Sequence, residues 1–317
     1  MSLDEFEIIK RYFKVVGEKS AGVVLGPGDD CAVLSFSSNE EVCVTTDTLI
    51  EGVHFPENCE ASMVASRLIG ANLSDIAAMG ALPHSCLIAL TLPEADTNWL
   101  EGFSATLGRL LERYGLTLAG GNISKGTLSI TMTVLGSVPT GEALTRGGAM
   151  PGDEIYVTGT LGDAKKGLTD ILSGRKSSGY LAGRYSTPTP RLEIGRELRG
   201  LATAMIDISD GLFADLSHLC QASQAGAVVE LGSIPVSNDL VSAIGDREAR
   251  SLALNSGDDY ELCFTVPSKF SLELHSLEKK SGLPITRVGC VRTAEGIDVL
   301  DMKGDRMDIA NLGYRHF

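Results

Sequence analysis

The chain has 317 residues, of which 43% are hydrophobic and 21% are charged, and its formal net charge is −14. This composition is typical of a globular protein long enough for two domains. The acidic balance argues against a general affinity for nucleic acid or anionic lipid, because both require a basic protein surface. No apolar run approaches the roughly 18 residues of a membrane span.

The N-terminus and the cysteines indicate a cytoplasmic protein. The first residues are acidic and lack the basic start and apolar core of a signal peptide. Ser2 followed by Glu5 predicts a capping box that opens a first helix. The seven cysteines are odd in number and include no Cys-x-x-Cys pair, so neither a zinc site nor a disulfide framework is expected. Reduced thiols are the better interpretation.

The N-terminal half shows strands and helices in turn. Apolar and β-branched runs predict strands at 41–50 and 85–92, and apolar residues at helical spacing predict helices at Met63–Ala78 and Asp96–Tyr114. From Leu128 to Val134, apolar residues alternate with Ser or Thr, which is the period of a half-buried strand.

Turn-forming residues between Pro139 and Asp153 separate this half from the rest. We therefore predict an N-terminal domain at residues 1–138 and a C-terminal domain at 139–317. The elements predicted in the second domain are a strand at Glu154–Thr158, a surface loop from Gly174 to Pro190, a helix containing Leu212, Leu216 and Leu219, and a strand that follows the turn at Gly257. Strands and helices mix without regular βαβ alternation, so the predicted class is α+β.

Aspartates in the N-terminal half lie beside apolar residues. Gly28-Asp29-Asp30 occupies a turn, Thr45-Thr46-Asp47 follows the strand residues 42–44, and Asn72-Leu73-Ser74-Asp75 lies in an apolar helix. A carboxylate removed from water needs a positive partner, and Mg²⁺ prefers carboxylate and carbonyl oxygens. Each motif alone is also compatible with a turn or a helix cap. Together they favour a magnesium site that handles phosphate.

Further candidate residues follow along the chain. Acids recur in Asp207-Ile208-Ser209-Asp210 and in Gly257-Asp258-Asp259. Gly120-Gly121-Asn122 follows a predicted strand at 116–118, and paired glycines allow backbone N–H groups to approach a phosphate. There is no P-loop and no dinucleotide fingerprint. Arg146 is either a phosphate clamp or a solvated loop cation.

The order of these motifs resembles the thiamine-monophosphate kinase family. The resemblance rests on residues spread over the whole chain: Gly28–Ala32, Thr46–Leu49, Gly52-Val53-His54-Phe55, Asn72–Ala81, Leu144-Thr145-Arg146, Pro151-Gly152-Asp153, Asp207–Leu212, Asp259-Tyr260-Glu261-Leu262 and Gly313–Phe317. It implies ATP- and Mg²⁺-dependent phosphorylation of thiamine monophosphate to thiamine diphosphate. No general base is expected, because the acceptor is itself an anionic phosphate.

The resemblance also implies the two-domain fold of aminoimidazole ribonucleotide synthetases. In that fold the N-terminal domain binds ATP and metal and pairs in a homodimer, and the C-terminal domain completes the metal and substrate site. The implied metal ligands are Asp30, Thr45, Thr46, Asp47, Asp75, Asn122, Asp207 and Asp210. The implied ATP contacts are Gly121, Asn122, Arg146 and Ser209. The implied contacts to thiamine phosphate are His54, Asp258 and Tyr314.

Two positions depart from the family pattern, and they keep alternatives open. The family usually has Gly-Gly-Asp-Thr-Thr-Arg where this chain has Asn122 in place of the Asp, so one metal position loses a charge. Asp258 replaces a Glu that is common in the family. Two alternative functions stay open. The chain is either another ATP-using synthetase of the same superfamily or a relative that binds nucleotide or metal without catalysis. A lone His such as His54 is more often an ordinary residue than a ligand.

Overall fold

A computed structural model describes residues 5–13, 22–25, 31–175 and 179–307. The predictions on Ser2, Gly28–Asp30 and Gly313–Phe317 therefore lie outside the described residues. The chain forms two compact units, which comprise residues 1–76 with 81–141, and 77–80 with 142–317. Within the described ranges, no helix has the length and apolarity that crossing a membrane requires.

The first unit contains a four-stranded sheet and two long helices. Its elements are α1 (Glu5–Ile8) with a π-helical turn (Ile9–Phe13), β1 (Val23–Leu25), β2 (Val33–Leu34), β3 (Glu40–Ile50), α2 (Ala61–Ala78), β4 (Leu82–Leu92), α3 (Thr97–Tyr114), β5 (Thr117–Lys125) and β6 (Ser129–Pro139). β1 pairs with β2, and the large sheet has the order β3-β6-β4-β5. The predicted strands at 41–50 and 85–92 and both predicted helices are confirmed.

Local sequence explains the clearest of these elements. In β6, Ile130, Met132 and Val134 are buried while the threonines between them are half-buried, which confirms the predicted alternation. The Asp96 side chain caps α3 by accepting from the backbone N–H groups of Asn98 and Trp99. The helix ends where Gly115 adopts a left-handed conformation, as is common at helix C-termini.

The second unit is built on a seven-stranded sheet. Its elements are β7 (Glu154–Thr158), α4 (Asp163–Leu172), α5 (Tyr180–Ser186), α6 (Leu192–Glu197), β8 (Ala204–Asp207), α7 (Leu212–Ala222), β9 (Gly226–Glu230), α8 (Asn238–Ile244), α9 (Asp246–Asn255), β10 (Leu262–Val266), α10 (Ser271–Ser281), β11 (Ile285–Arg292), β12 (Gly296–Leu300) and β13 (Arg306–Met307). The strand order is β13-β12-β9-β11-β7-β10-β8.

Helices cover both faces of this sheet. In β7, Ile155 and Val157 join a core with residues of α7 and α9, whereas Tyr156 joins a second core with residues of α6 and α10. Neighbouring strands are antiparallel except for β9 and β12, which are parallel. Two mixed helix-and-sheet units confirm the predicted α+β class.

Three local predictions were wrong. The placement of Thr45-Thr46-Asp47 at the end of the strand 42–44 was wrong, because β3 stays paired with β6 as far as Ile50, in agreement with the strand predicted at 41–50. The predicted loop from Gly174 to Pro190 contains the helix α5, whose Ala182 and Tyr185 are buried by tertiary packing. The strand predicted at 116–118 is too short, because β5 begins at Thr117 and continues through Asn122 to Lys125. Gly121 permits this, since a Cβ there would lie 2.0 Å from the carbonyl oxygen of Ile88.

Candidate functional site

The first unit brings two of the predicted acids together. Asp47 lies on β3 and Asp75 on α2. The Thr45 hydroxyl donates a hydrogen bond of 2.5 Å to Asp75 Oδ2, so α2 lies against the face of β3 that carries Thr45. Residues two apart in a strand share a face, and Asp47 therefore points to the same side as Thr45. The result is a half-buried cluster of oxygen donors.

The electrostatics of this cluster are suited to a cation. Burial, together with the smaller effect of the nearby carboxylate of Asp75, raises the pKa of Asp47 from 3.8 to about 6. Ionising two acids that are held close together away from water destabilises the folded protein. A hard divalent cation removes that penalty, and carboxylate and hydroxyl oxygens are donors that it accepts.

The raised pKa of Asp47 predicts a pH-dependent stability when no divalent cation is bound. The folded protein holds the Asp47 proton more tightly than the unfolded chain does, so this contribution is complete below pH 3.8 and is lost as the pH rises through about 6. We expect the free energy of unfolding in a chelating buffer to fall more steeply over this range in the wild type than in Asp47→Asn. Equal slopes in urea titrations at several pH values would contradict this expectation.

Thr46 and Asn122 lie on a different side of the sheet. The Thr46 hydroxyl is 2.8 Å from that of Thr133, on the face opposite to Thr45.

Asn122 lies on the same face of the sheet as Thr46. Strand register aligns Asn122 with Ala89, Thr131 and Thr48, whose side chains lie on that face. β5 lies three strand spacings from β3, which is about 14 Å. Asn122 is exposed, and its amide donates to the Ser124 hydroxyl at 3.0 Å. Within this unit the fold does not place Asn122 beside Asp47 and Asp75.

The imidazole of His54 has a defined orientation in the turn after β3. Its Nδ1 accepts a hydrogen bond of 3.1 Å from the backbone N–H of Ile50. A ring nitrogen that accepts carries no proton, so the neutral ring is protonated at Nε2. The backbone carbonyl of His54 accepts from the buried side chain of Arg67 on α2, at 3.3 Å. These contacts tie the turn to the helix that carries Asp75.

In the second unit, Asp207, Ser209 and Asp210 lie at the end of β8 and in the turn before α7. Oδ2 of Asp215 accepts from the backbone N–H groups of Ser209, Asp210 and Gly211, at 3.0 to 3.1 Å. Burial, followed by the charge of Asp210, raises the pKa of Asp215 to about 7. Asp215 therefore stabilises the conformation of the turn that carries Ser209 and Asp210.

Asp258 lies beside this turn. Its backbone N–H donates to the carbonyl oxygen of Ser209 at 2.9 Å, and that of Tyr260 donates to Ile208 at 2.9 Å. Gly257 makes the approach possible, since a Cβ there would lie 1.9 Å from the Ser209 carbonyl oxygen. The fold therefore joins the two acidic motifs of the C-terminal half, Asp207–Asp210 and Gly257–Asp259, into one surface.

Arg146 lies close to β8, and the remaining candidate residues are either dispersed or outside the described residues. The backbone of Thr145 accepts from Met205 N on β8 at 2.8 Å, while the side chain of Arg146 next to it is exposed. Among the residues that the structure describes, no three His, Cys, Asp or Glu side chains converge on one metal position. Asp30 and Tyr314 fall outside those residues.

A buried ionic cluster next to Asp258 was not predicted from the sequence. Glu261 is fully buried and accepts from Arg191 Nε and Nη2 at 2.7 and 2.5 Å, from Arg184 Nη2 at 2.8 Å and from the Thr158 hydroxyl at 2.6 Å. Asp259 is also buried and accepts from the backbone N–H groups of Gly162 and Ala164 at the start of α4. The available signal was an acid on each side of Tyr260 directly before an apolar strand.

Two family models match the chain. The model of the AIR synthase related protein, N-terminal domain, covers residues 28–138, and that of the C-terminal domain covers residues 150–301. Together they span more than half of the sequence, and they divide it within the interval between Pro139 and Asp153.

Individual relatives are similar over nearly the whole chain. Thiamine-monophosphate kinase of Haemophilus influenzae is 43% identical over 293 residues, which are 91% of this chain and 89% of the relative. The crystal structure of thiamine-monophosphate kinase from Stenotrophomonas maltophilia has 40% identity and a TM-score of 0.88, and covers 97% of this chain and 99% of that one. AaThiL complexed with AMPPCP and TMP has 32% identity and a TM-score of 0.78, and covers 100% and 99%.

Proposed function

The chain belongs to the thiamine-monophosphate kinase family within the AIR synthase related proteins, and from this membership we propose its reaction. It transfers the γ-phosphoryl group of ATP to thiamine monophosphate and forms thiamine diphosphate. The observation that carries this proposal is full-length similarity to a relative complexed with the ATP analogue AMPPCP and with TMP. Its composition and dispersed thiols support a location in the cytoplasm.

The chemistry suits a site rich in acids. Both reactants are phosphates and repel each other, and the acceptor phosphate is already an anionic nucleophile, so the protein needs to align and neutralise them and does not need a general base. Bound Mg²⁺ supplies that neutralisation. The half-buried pair of Asp47 and Asp75 fits such an ion, because its oxygen donors and the raised pKa of Asp47 favour a bound cation.

Residue roles follow the family motifs and remain part of the proposal. Metal ions would be held by Asp30, Thr45, Thr46, Asp47, Asp75, Asn122, Asp207 and Asp210. ATP would contact Gly121, Asn122, Arg146 and Ser209. Thiamine monophosphate would contact His54, Asp258 and Tyr314. The side chain of Thr46 points away from Thr45 and Asp75, so within its own unit a metal role for Thr46 would use the backbone carbonyl.

One assay tests the proposed reaction. Purified protein is incubated with ATP, Mg²⁺ and thiamine monophosphate, and thiamine diphosphate is separated and quantified. Formation of this product at the expense of ATP supports the assignment, and its absence at saturating substrate concentrations overturns it. Replacing thiamine monophosphate with thiamine distinguishes a phosphate acceptor from an alcohol acceptor.

We also propose that the protein is a homodimer that pairs through the open face of the first unit's sheet. That face exposes apolar side chains: Val42 (44% exposed), Val44 (61%), Leu82 (43%) and Leu87 (37%). Strand register places them on the side opposite to Asp47 and Asp75. An apolar sheet face that is two strands or more wide favours burial against another surface. A second copy offers the matching surface, in line with the homodimer through the N-terminal domain that the family resemblance implies.

Introducing a charge on this face should dissociate the dimer. Val44→Asp places a carboxylate where the partner would bury it, and the cost of desolvating the charge shifts the equilibrium toward monomer. Light scattering coupled to size-exclusion chromatography measures the change. The matched control is Val24→Asp on β1, where the valine is 69% exposed. A dimer that persists in Val44→Asp, or a wild type that is monomeric at micromolar concentration, contradicts the proposed interface.

A further inference from the structure

The backbone around Asp258 is held in a disfavoured conformation. Asp258 has φ of 68° and Tyr260 has φ of 51°, which are left-handed values that residues other than glycine rarely adopt. Such geometry persists where the surroundings determine it, and it is enriched at functional sites. The segment from Asp258 to Glu261 is therefore constrained by its partners, and local preference does not account for its shape.

Those partners are the buried acids on either side of Tyr260. Asp259 is anchored to the start of α4 through Gly162 N at 2.7 Å. Glu261 is anchored by the guanidinium groups of Arg184 and Arg191. Backbone bonds to Ile208 and Ser209 hold the other side of the segment. The fold of this segment thus has enough support without the Tyr260 hydroxyl.

The Tyr260 hydroxyl has a different contact. It donates a hydrogen bond of 3.1 Å to Oδ1 of Asp258, while the ring itself is buried. A carboxylate on a partly exposed turn can rotate, and a phenol fixed by its buried ring restricts that rotation. The bond orients the Asp258 carboxylate.

We infer that Tyr260 is a positioning residue for thiamine monophosphate, acting through Asp258. This inference rests on the proposed function. The thiazolium ring of thiamine monophosphate carries a permanent positive charge, and a carboxylate complements that charge and repels the phosphate. Tyr260 holds the carboxylate of Asp258 in the orientation that receives the cationic part of the substrate, so its hydroxyl contributes to substrate affinity and not to ATP binding.

The test is Tyr260→Phe in the full-length protein, compared with Tyr156→Phe. Tyr156 is the matched control, because its hydroxyl also donates to a carboxylate, that of Glu154 at 2.7 Å, on β7. We expect Tyr260→Phe to raise KM for thiamine monophosphate about tenfold, because the variant loses one hydrogen bond to a charged group. KM for ATP should stay unchanged. Tyr156→Phe should change neither KM.

A double-mutant cycle separates this role from a structural one. In an Asp258→Asn background, Tyr260→Phe should raise KM for thiamine monophosphate no further, because the residue through which it acts is already altered. Additive effects overturn the inference, as does a Tyr260→Phe enzyme whose KM equals that of the control. Loss of cooperative unfolding in Tyr260→Phe alone also overturns it. A wild type that forms no thiamine diphosphate instead refutes the proposed function.

Discussion

Asp47→Asn is expected to reduce the rate of thiamine diphosphate formation by more than about a hundredfold, since even the outer partners of metal ligands cost about 10- to 100-fold when replaced. The amide keeps the shape of the side chain but removes its charge, and the cluster with Asp75 then holds a divalent cation less tightly. Turnover measured over a range of Mg²⁺ concentrations should show a higher requirement for the ion.

The fold should survive this substitution. Burial and Asp75 already oppose ionisation of Asp47, so at neutral pH and without metal the variant should unfold at the same temperature as the wild type or a higher one. Asp96→Asn is the control, because Asn also caps a helix and the charge is lost outside the site. A near-normal rate in Asp47→Asn would show that the metal assignment is wrong.

Glu261→Ala is expected to lower the free energy of unfolding by about 3–5 kcal/mol, which is the usual cost of removing one partner of a buried ion pair. Arg184 and Arg191 would keep their charges in the interior, with side chains only 10% and 16% exposed, after losing the carboxylate that they share. Urea denaturation followed by circular dichroism measures the loss.

An exposed ion pair provides the comparison. Lys280 and Glu197 are 2.9 Å apart with side chains 70% and 51% exposed, so Glu197→Ala should change stability little. Glu261→Gln should fall between the two, because one amide oxygen can still accept from Arg191. If Glu261→Ala is no more destabilising than Glu197→Ala, the buried cluster does not stabilise the second unit.

Local sequence patterns were sufficient for the elements with a clear period. The alternation in β6 and the helical spacing in α3 depend on residues within a few positions of one another, and both elements were predicted correctly. The ordered motifs were also sufficient to indicate the family. Predictions failed where local residues were ambiguous, as at Gly120-Gly121-Asn122, which reads as a turn but is part of β5.

The sequence by itself determined the α+β class, the family and the list of candidate acids. Only the tertiary structure decided how those acids are grouped. It placed Thr45 within hydrogen-bonding distance of Asp75, 30 residues away, and placed Asn122 on the opposite face of the sheet. It also surrounded Glu261 with Arg184 and Arg191, which lie 77 and 70 residues earlier. Periodicity is a local property of the chain, whereas pairing between distant side chains depends on strand register and packing, which no single segment encodes.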